Sequence, residues 1–438
     1  MERVHPARTA DTDQEDTVSD PGTLPTPLPA RILLLGSGEL GRELVISFKR
    51  LGCHVIAADS YAHAPAMQVA DEARVLDMTD AAELRALVDS VDVDLVVPEV
   101  EAIATDALAE VEARGGVRIV PNAFAVQATM DRQRIRALAS SLPGVRTSRF
   151  RFASGAEEVE EALAHTGLPA FVKPTMSSSG HGQTRITDAS QARAAWDAAE
   201  AGARAGTGRV IVEEGIDFDS EITLLTVRWR DAASGEVRTS FCEPIGHRQV
   251  DGDYVESWQP ARCSPVALES CRAMARAVTG ALAGGGASPA LGLFGVEFFL
   301  RGDEAWFSEL SPRPHDTGMV TMVTQRLSEF DLHARAVLGL PLDTSMRGAG
   351  ASAVVKCTAP LGVVGYEGVA AALALGGEVR IFGKEASRAR RRLGVALATG
   401  DTVDAARSLA RAMAGAVELV ERAPGGTTAP GSMASLES

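Results

Sequence analysis

Glu297 and Glu309 are the first candidates for chemistry. They stand in two apolar runs, Phe294–Leu300 and Ala305–Leu310, joined by Arg301-Gly302-Asp303-Glu304. Runs and turn together read as a β-hairpin. On neighbouring strands the two carboxylates can face each other among hydrophobic side chains, where unpaired like charges are costly. Mg²⁺, hard and oxygen-seeking, relieves that cost and also binds substrate phosphates. Strand alternation equally allows either acid to point to solvent. Just past the second acid, Ser311-Pro312-Arg313-Pro314-His315-Asp316-Thr317-Gly318 offers Arg313 to an anion, while His315 can equally serve a structural hydrogen bond. Upstream, Phe171-Val172-Lys173-Pro174 sets a lysine at the end of an apolar strand. Ser177, Ser178, Ser179, Gly180, His181, Gly182 and Gln183 follow, small residues whose backbone N–H groups can approach a polyphosphate. The loop lacks the G-K-[ST] of a Walker A sequence, and alone it could be a polar hairpin tip. Val210–Glu213 is a further apolar strand running into Glu214-Gly215-Ile216, with Glu221 beyond it.

A second constellation gathers around Gly36-Ser37-Gly38-Glu39-Leu40-Gly41, which fits G-x-G-x-x-G between a strand and a helix. With Asp59 about 20 residues on, a dinucleotide site is the first reading. Against it, Glu39 inside the turn would repel a pyrophosphate. A further acidic pair, Glu99 and Glu101, follows Pro98 at the carboxyl end of another strand, where ligands of such sheets bind. Acids at adjoining strand ends suit an amine and a ribose better than a phosphate. Near the other end of the chain, Lys384, Arg388, Arg390, Arg391 and Arg392 form a basic cluster in a chain of formal charge −15. Two or three such side chains can clamp a phosphate monoester. A solvated basic loop is the ordinary alternative.

Alternating elements must position these groups. Ile32–Leu35 is continuously apolar, as a strand buried on both faces requires. A helix follows over Glu39–Leu51, then strands at His54–Asp59, Ala73–Leu76, Leu95–Pro98 and Val117–Val120 with helical periods between them. That pattern is a parallel, doubly wound α/β sheet spanning 30–130. A second lobe is expected over 131–345, with strands Ala170–Lys173 and Arg209–Glu213 flanking the serine-glycine loop, and a small third lobe over 346–423. The acidic, Pro- and Thr-bearing leader 1–29 and the tail 424–438 read as disordered. Ala283–Pro289 reads as a flexible insertion.

Composition narrows the class. A chain of 438 residues needs more than one core, and its 45% hydrophobic and 23% charged residues are those of a soluble globular protein. The acidic balance argues against nucleic acid as a partner. No run of about 20 apolar residues could span a membrane. Five scattered cysteines, without a CxxC pair, fit neither zinc nor a disulfide framework and point to a reducing, cytoplasmic compartment.

Several long strings carry a more specific signal: LLLGSGELGRE (33–43), VPEVEAIATD (97–106), VKPTMSSSG (172–180), GHRQVDGDYVESWQP (246–260), ELSPRPHDTGMVT (309–321) and RRLGVALAT (391–399). Over about 30–422 the chain resembles the formate-dependent phosphoribosylglycinamide formyltransferases, ATP-grasp enzymes of purine synthesis. The resemblance implies three lobes: a Rossmann-like pre-ATP-grasp domain, a central ATP-grasp domain and a small C-terminal domain. It implies that Arg132, Lys173, Ser178–Gln183, Glu213, Glu214, Gly215, Ile216 and Glu221 hold ATP, and that Glu297 and Glu309 hold Mg²⁺. Glu39, Leu40, Glu99, Asp316, Lys384, Arg391 and Arg392 would hold phosphoribosylglycinamide, with Lys173, Arg313 and Arg392 serving the transfer from formate. A cytoplasmic homodimer is also implied. The loop departs from the family's usual Gly-Lys-Gly at Gly180-His181-Gly182, and Glu214-Gly215 and the stretches near 231–236 and 284–290 are unusual. An ATP-grasp ligase for another acid or amine is the alternative. An NAD-dependent oxidoreductase would leave Lys173, Glu297 and Glu309 unexplained.

Overall fold

The computed structural model describes residues 24–176, 182–203, 208–250, 253–284 and 288–422. The leader to residue 23, the loop residues Ser178–His181, part of the 283–289 insertion and the tail from 423 lie outside the described residues.

The apolar run near the N-terminus forms the strand Arg31–Leu35, the centre of a five-stranded parallel sheet. Its neighbours are His54–Asp59, then Glu72–Val75, on one side, and Leu95–Pro98, then Arg118–Ile119, on the other. Strand alternation explains the unbroken hydrophobicity. Ile32 and Leu34 face a core with Phe48, Phe330 and Leu338, whereas Leu33 and Leu35 face one with Leu84 and Leu108. Each fully buried leucine contributes on the order of 1.5–3 kcal/mol. The chain order reverses between Arg31–Leu35 and Leu95–Pro98, so a ligand crevice is expected at their carboxyl ends.

Three further sheets follow, the smallest being the strand pair Val364–Glu367/Glu418–Glu421. An antiparallel sheet of four strands, ordered Phe150–Ala153, Val210–Glu214, Ala170–Pro174 and Thr184–Ile186, is covered by helices Ala156–Thr166 and Ala192–Gly202 through Val159, Leu163 and Ala195. A nine-stranded sheet starts at the hairpin Gly292–Arg301/Glu304–Ser311 and continues through Ser220–Arg230, which also pairs with Val237–Phe241, then Ile245–Val250 and Asp253–Gln259. It then takes in Gly350–Lys356, Arg392–Thr399 and Glu378–Ile381, so hydrogen bonding runs unbroken across residue 346. The helix Glu329–Leu338 joins the five-stranded and nine-stranded sheets: Phe330 and Leu338 pack with Leu34, while Leu332 and Ala336 pack with Leu225 and Leu293. Residues 24–29, assigned by composition to the leader, pack at the end of this helix. Thr26 N–H donates to the Leu338 carbonyl at 2.9 Å, and Arg118 donates to the Thr26 hydroxyl at 2.7 Å.

Candidate active site

The four-stranded sheet and the hairpin of the nine-stranded sheet present opposed sets of polar side chains. Lys173, on Ala170–Pro174, places Nζ 2.7 Å from Glu213 Oε2 on the adjoining strand Val210–Glu214. Arg136, from the helix Arg132–Ser141, pairs with the other oxygen of Glu213. Burial disfavours the Glu213 charge, but the two cations outweigh it and hold the pKa down at about 2. The Glu213 side chain is thereby engaged inside the protein, on a strand paired on both sides, with Phe150 and Phe171 as its cross-strand partners. Glu214 lies at the surface in a two-point pair with Arg149, at 3.0 Å each. Gly215 donates its N–H to the Pro169 carbonyl, and a Cβ there would stand 2.7 Å from that oxygen. Ile216 follows, half-buried. Gly182 adopts φ +72°, and a Cβ on it would meet Pro174 at 2.8 Å. That contact seats the exit of the serine-glycine loop on the lysine strand, with Gln183 exposed beside it.

Across from this set, Glu297 and Glu309 are direct cross-strand partners in the hairpin. Glu297 is buried. Glu309 is not: half its side chain is exposed, because a register shift between Glu297 and Phe298 turns the second acid outward into the cleft. The expectation that both lie among hydrophobic residues is corrected for Glu309. Burial, then the charges of Glu221, Glu309 and Asp316, raise the Glu297 carboxyl to about 8. His315 Nε2 stands 3.3 Å from Glu297, and His247 Nε2 stands 3.2 Å from Glu221. Arg132 spans the two sheets, donating to the Pro174 carbonyl at 3.1 Å and approaching Glu309 at 3.9 Å. Among the described residues no three His, Cys, Asp or Glu side chains gather as a complete metal cage. Two carboxylates in a crowded acidic wall fit Mg²⁺, which fills its remaining positions with water and substrate phosphate.

The switch point of the parallel sheet holds the second constellation. Gly36, at φ +109°, and Gly41 lie against Glu99. A Cβ on Gly36 would stand 3.1 Å from Glu99 Oε2, and one on Gly41 would meet the Gly36 carbonyl at 2.7 Å. Glu39 opens the helix Glu39–Arg50 and pairs with Lys384 at 2.7 Å. Burial opposes the Glu39 charge, yet Lys384 and Arg392 hold its carboxyl below the usual range. Leu40 packs half-buried on the adjoining core. Glu99 is the reverse case: burial, with Glu39, Glu101 and Asp59 nearby, raises it well above the usual range although Arg313 opposes. Arg313 pairs with Glu101, so it belongs to this crevice and is not free beside Glu297 and Glu309. Arg392 pairs with Asp316, whose carboxyl is held low against its burial. Arg391, half-buried, donates to the Ala386 carbonyl at 3.2 Å. Asp59 does not project as a ribose acid: it accepts from the N–H groups of Ser37 and Ser60, at 2.7 Å each, and so fixes the glycine turn.

These side chains come from positions more than 300 residues apart. Three family models match: a ribonucleotide synthetase preATP-grasp domain over residues 30–129, an ATP-grasp domain over 138–330, and the domain described as PurT, C-terminal over 350–417. A formate-dependent phosphoribosylglycinamide formyltransferase of Thioalkalivibrio sulfidiphilus is 54% identical over 401 residues, 91% of this chain and 99% of its own. The chain belongs to the formate-dependent phosphoribosylglycinamide formyltransferase family. Another relative of that name, from Paraburkholderia xenovorans, is 55% identical over 89% of this chain and 95% of its own. Among solved structures, a glycinamide-RNase-transformylase T from Mycobacterium tuberculosis matches with TM-score 0.73 and 36% identity, over 89% of this chain and all of that one. An N5-carboxyaminoimidazole ribonucleotide synthetase from Thermus thermophilus matches with TM-score 0.71 and 30% identity, over 86% of this chain and 96% of that one. As an ATP-grasp member of the formyltransferase family, the chain is an enzyme with this three-part α/β fold. No described helix is long and apolar enough to cross a membrane.

Sequence reasoning passed over Arg136, His247 and Glu329. Arg136 reads as one more charge on an amphipathic helix, and its buried pairing with Glu213 spans 77 positions. His247 lies inside one of the resembling strings, which marks the segment without singling out the ring.

Proposed function

We propose that this enzyme joins formate to the amine of 5′-phosphoribosylglycinamide at the expense of ATP, giving the formylated ribonucleotide, ADP and phosphate. The single observation carrying the reading is the spatial junction of the two constellations at the Arg313–Gly318 turn. Arg313 reaches Glu101 at the parallel-sheet crevice, His315 reaches Glu297 in the two-sheet cleft, and Asp316 reaches Arg392. A phosphoryl donor in the cleft and an amine in the crevice would meet there.

ATP is assigned to the cleft, with Lys173, Arg132 and the 178–183 backbone toward its phosphates. The edge 213–216 would meet the base, and Glu221 the ribose. Glu297 and Glu309 would hold Mg²⁺, which when bound offsets charge on the phosphates. The ribonucleotide is assigned to Glu39, Leu40, Glu99, Asp316, Lys384, Arg391 and Arg392, the last three around its phosphate. A formate oxygen attacks the γ-phosphorus, the bond to ADP breaks, and formyl phosphate results. The neutral amine then attacks the formyl carbon, the carbon–oxygen bond to phosphate breaks, and the nitrogen loses a proton. Lys173 and the Arg313–Arg392 side supply positive charge where oxygen charge develops. Formyl phosphate is labile in water, so both sites must share one enclosure. We assign the domains as 30–130, 131–345 and 346–423, and a cytoplasmic homodimer as the working form.

Formate labelled with ¹⁸O tests the route. One labelled oxygen per turnover must appear in the inorganic phosphate. Product formed with unlabelled phosphate would exclude formyl phosphate.

A further inference from the structure

Glu329 is the first residue of the helix Glu329–Leu338 and is fully buried, yet the reaction above does not use it. Its Oε2 accepts the backbone N–H of His315 at 2.9 Å, and its Oε1 has no hydrogen-bond partner among the described residues. Gly318 packs so closely that a Cβ on it would stand 2.1 Å from Oε2. Around this contact the turn is closed from both ends. Thr321 Oγ1 donates to the Gly318 carbonyl at 2.6 Å and accepts the Glu329 N–H at 2.9 Å, and Gly318 N–H donates to the His315 carbonyl at 2.8 Å.

We propose that Glu329 is a positioning residue, which fixes the Arg313–Gly318 turn through the His315 N–H and so sets where Asp316 and Arg313 stand relative to the ribonucleotide. The helix it heads is itself held. Phe330 sits in the core beneath the parallel sheet, and Asp331 accepts from Ser47 of the helix Glu39–Arg50 at 2.8 Å. The turn is thus referenced to the element that carries Glu39. The groups facing the Glu329 carboxyl are Asp316 and Glu99. Burial and these two acids raise it well above the usual range, despite the His315 N–H. What the contact requires is an acceptor oxygen at the His315 N–H.

The inference rests on the proposed reading of Asp316 as a ribonucleotide contact, so the test has one readout that needs no substrate. Glu329→Gln keeps an acceptor, whereas Glu329→Met fills the volume without one. The Gln enzyme should keep every kinetic constant within about threefold. The Met enzyme should raise KM for the ribonucleotide about tenfold or more, with KM for ATP within about twofold, as expected for an orphaned buried N–H. Amide exchange in a peptide covering 313–318 should be about tenfold faster in the substrate-free Met enzyme and unchanged in the Gln enzyme. A Met enzyme matching wild type in both readouts overturns the role, as does a Gln enzyme that falls as far as Met. A Met chain that cannot fold beside a normal Gln enzyme makes the contact merely structural and overturns it too. Wild type showing no ribonucleotide dependence, with the exchange pattern intact, overturns the functional reading and upholds the anchoring.

Discussion

The parallel-sheet crevice and the two-sheet cleft manage charge in opposite ways. In the crevice, Glu99 is buried beside other acids, but three acids are matched by cations brought from far along the chain: Glu39 with Lys384, Asp316 with Arg392, Glu101 with Arg313. In the cleft, the four-stranded side is matched through Arg136, Lys173 and Glu213, while the hairpin side has Glu221, Glu297 and Glu309 faced by His247, His315 and the more distant Arg132. The crevice can therefore exchange partners with a zwitterionic ligand, an amine to its acids and a phosphate to its cations. The acidic wall opposite Lys173 needs a cation to arrive with the ligand.

If that contrast is right, neutralising the unmatched wall should do the most damage. Glu297→Gln should cut kcat/KM by about 10³-fold or more, since several kcal/mol of charge stabilisation would depend on the cation it is proposed to hold. Steady-state kinetics across a Mg²⁺ titration would show it, and a variant within tenfold of wild type would break the contrast.

Removing a cation from the matched side should act on one substrate alone. Lys384→Ala is expected to raise KM for the ribonucleotide by roughly 10–100-fold, the worth of a charge-assisted hydrogen bond, and to leave KM for ATP within about threefold. Equal effects on both substrates would merge the two regions.

Glu213→Gln should act on stability. It leaves Arg136 and Lys173 without their shared partner, a loss of about 3–5 kcal/mol for a broken buried pair, read from urea midpoints. The Glu213 pKa is depressed from 4.5 to about 2, so its contribution is full above about 4.5 and is lost as pH falls toward about 2. The difference between wild type and variant should shrink over that window.

The smallest effect tests burial without charge pairing. His333 accepts the Leu293 N–H at 3.0 Å through Nδ1, and burial lowers its pKa from 6.5 to about 3. Its folded form resists protonation, so stability is full above about 6.5 and declines as pH falls from there toward 3. His333→Gln should flatten the fall in urea midpoint between pH 7 and pH 5. An unchanged slope would assign the acid sensitivity to other groups.

How much of this was legible in the sequence follows the range of each interaction. Arg31–Leu35 and Leu95–Pro98 were readable because strands buried on both faces carry hydrophobicity at every position. The hairpin of Glu297 and Glu309 was readable from its turn residues, but not the register shift that exposes Glu309. Asp59 had the spacing of a ribose acid, and only its hydrogen bonds to Ser37 and Ser60 show a different role. The pairs Glu39–Lys384 and Arg313–Glu101 span hundreds of positions, and no periodicity records them. The long strands Ser220–Arg230 and Arg392–Thr399 lie in a sheet whose neighbours come from remote segments, so local pattern could not give their order. Glu329 opens a helix capped by Ser328, and nothing local in the sequence records its contact with the His315 N–H.

The most direct test of the central account is ADP release from Mg-ATP measured with formate, with phosphoribosylglycinamide, and with both. Strong release is expected only with both together, with one formylated ribonucleotide per ADP and no requirement for a folate. ATP binding without stimulation by the ribonucleotide would contradict it, leaving an ATP-grasp enzyme whose acid and amine are different ones.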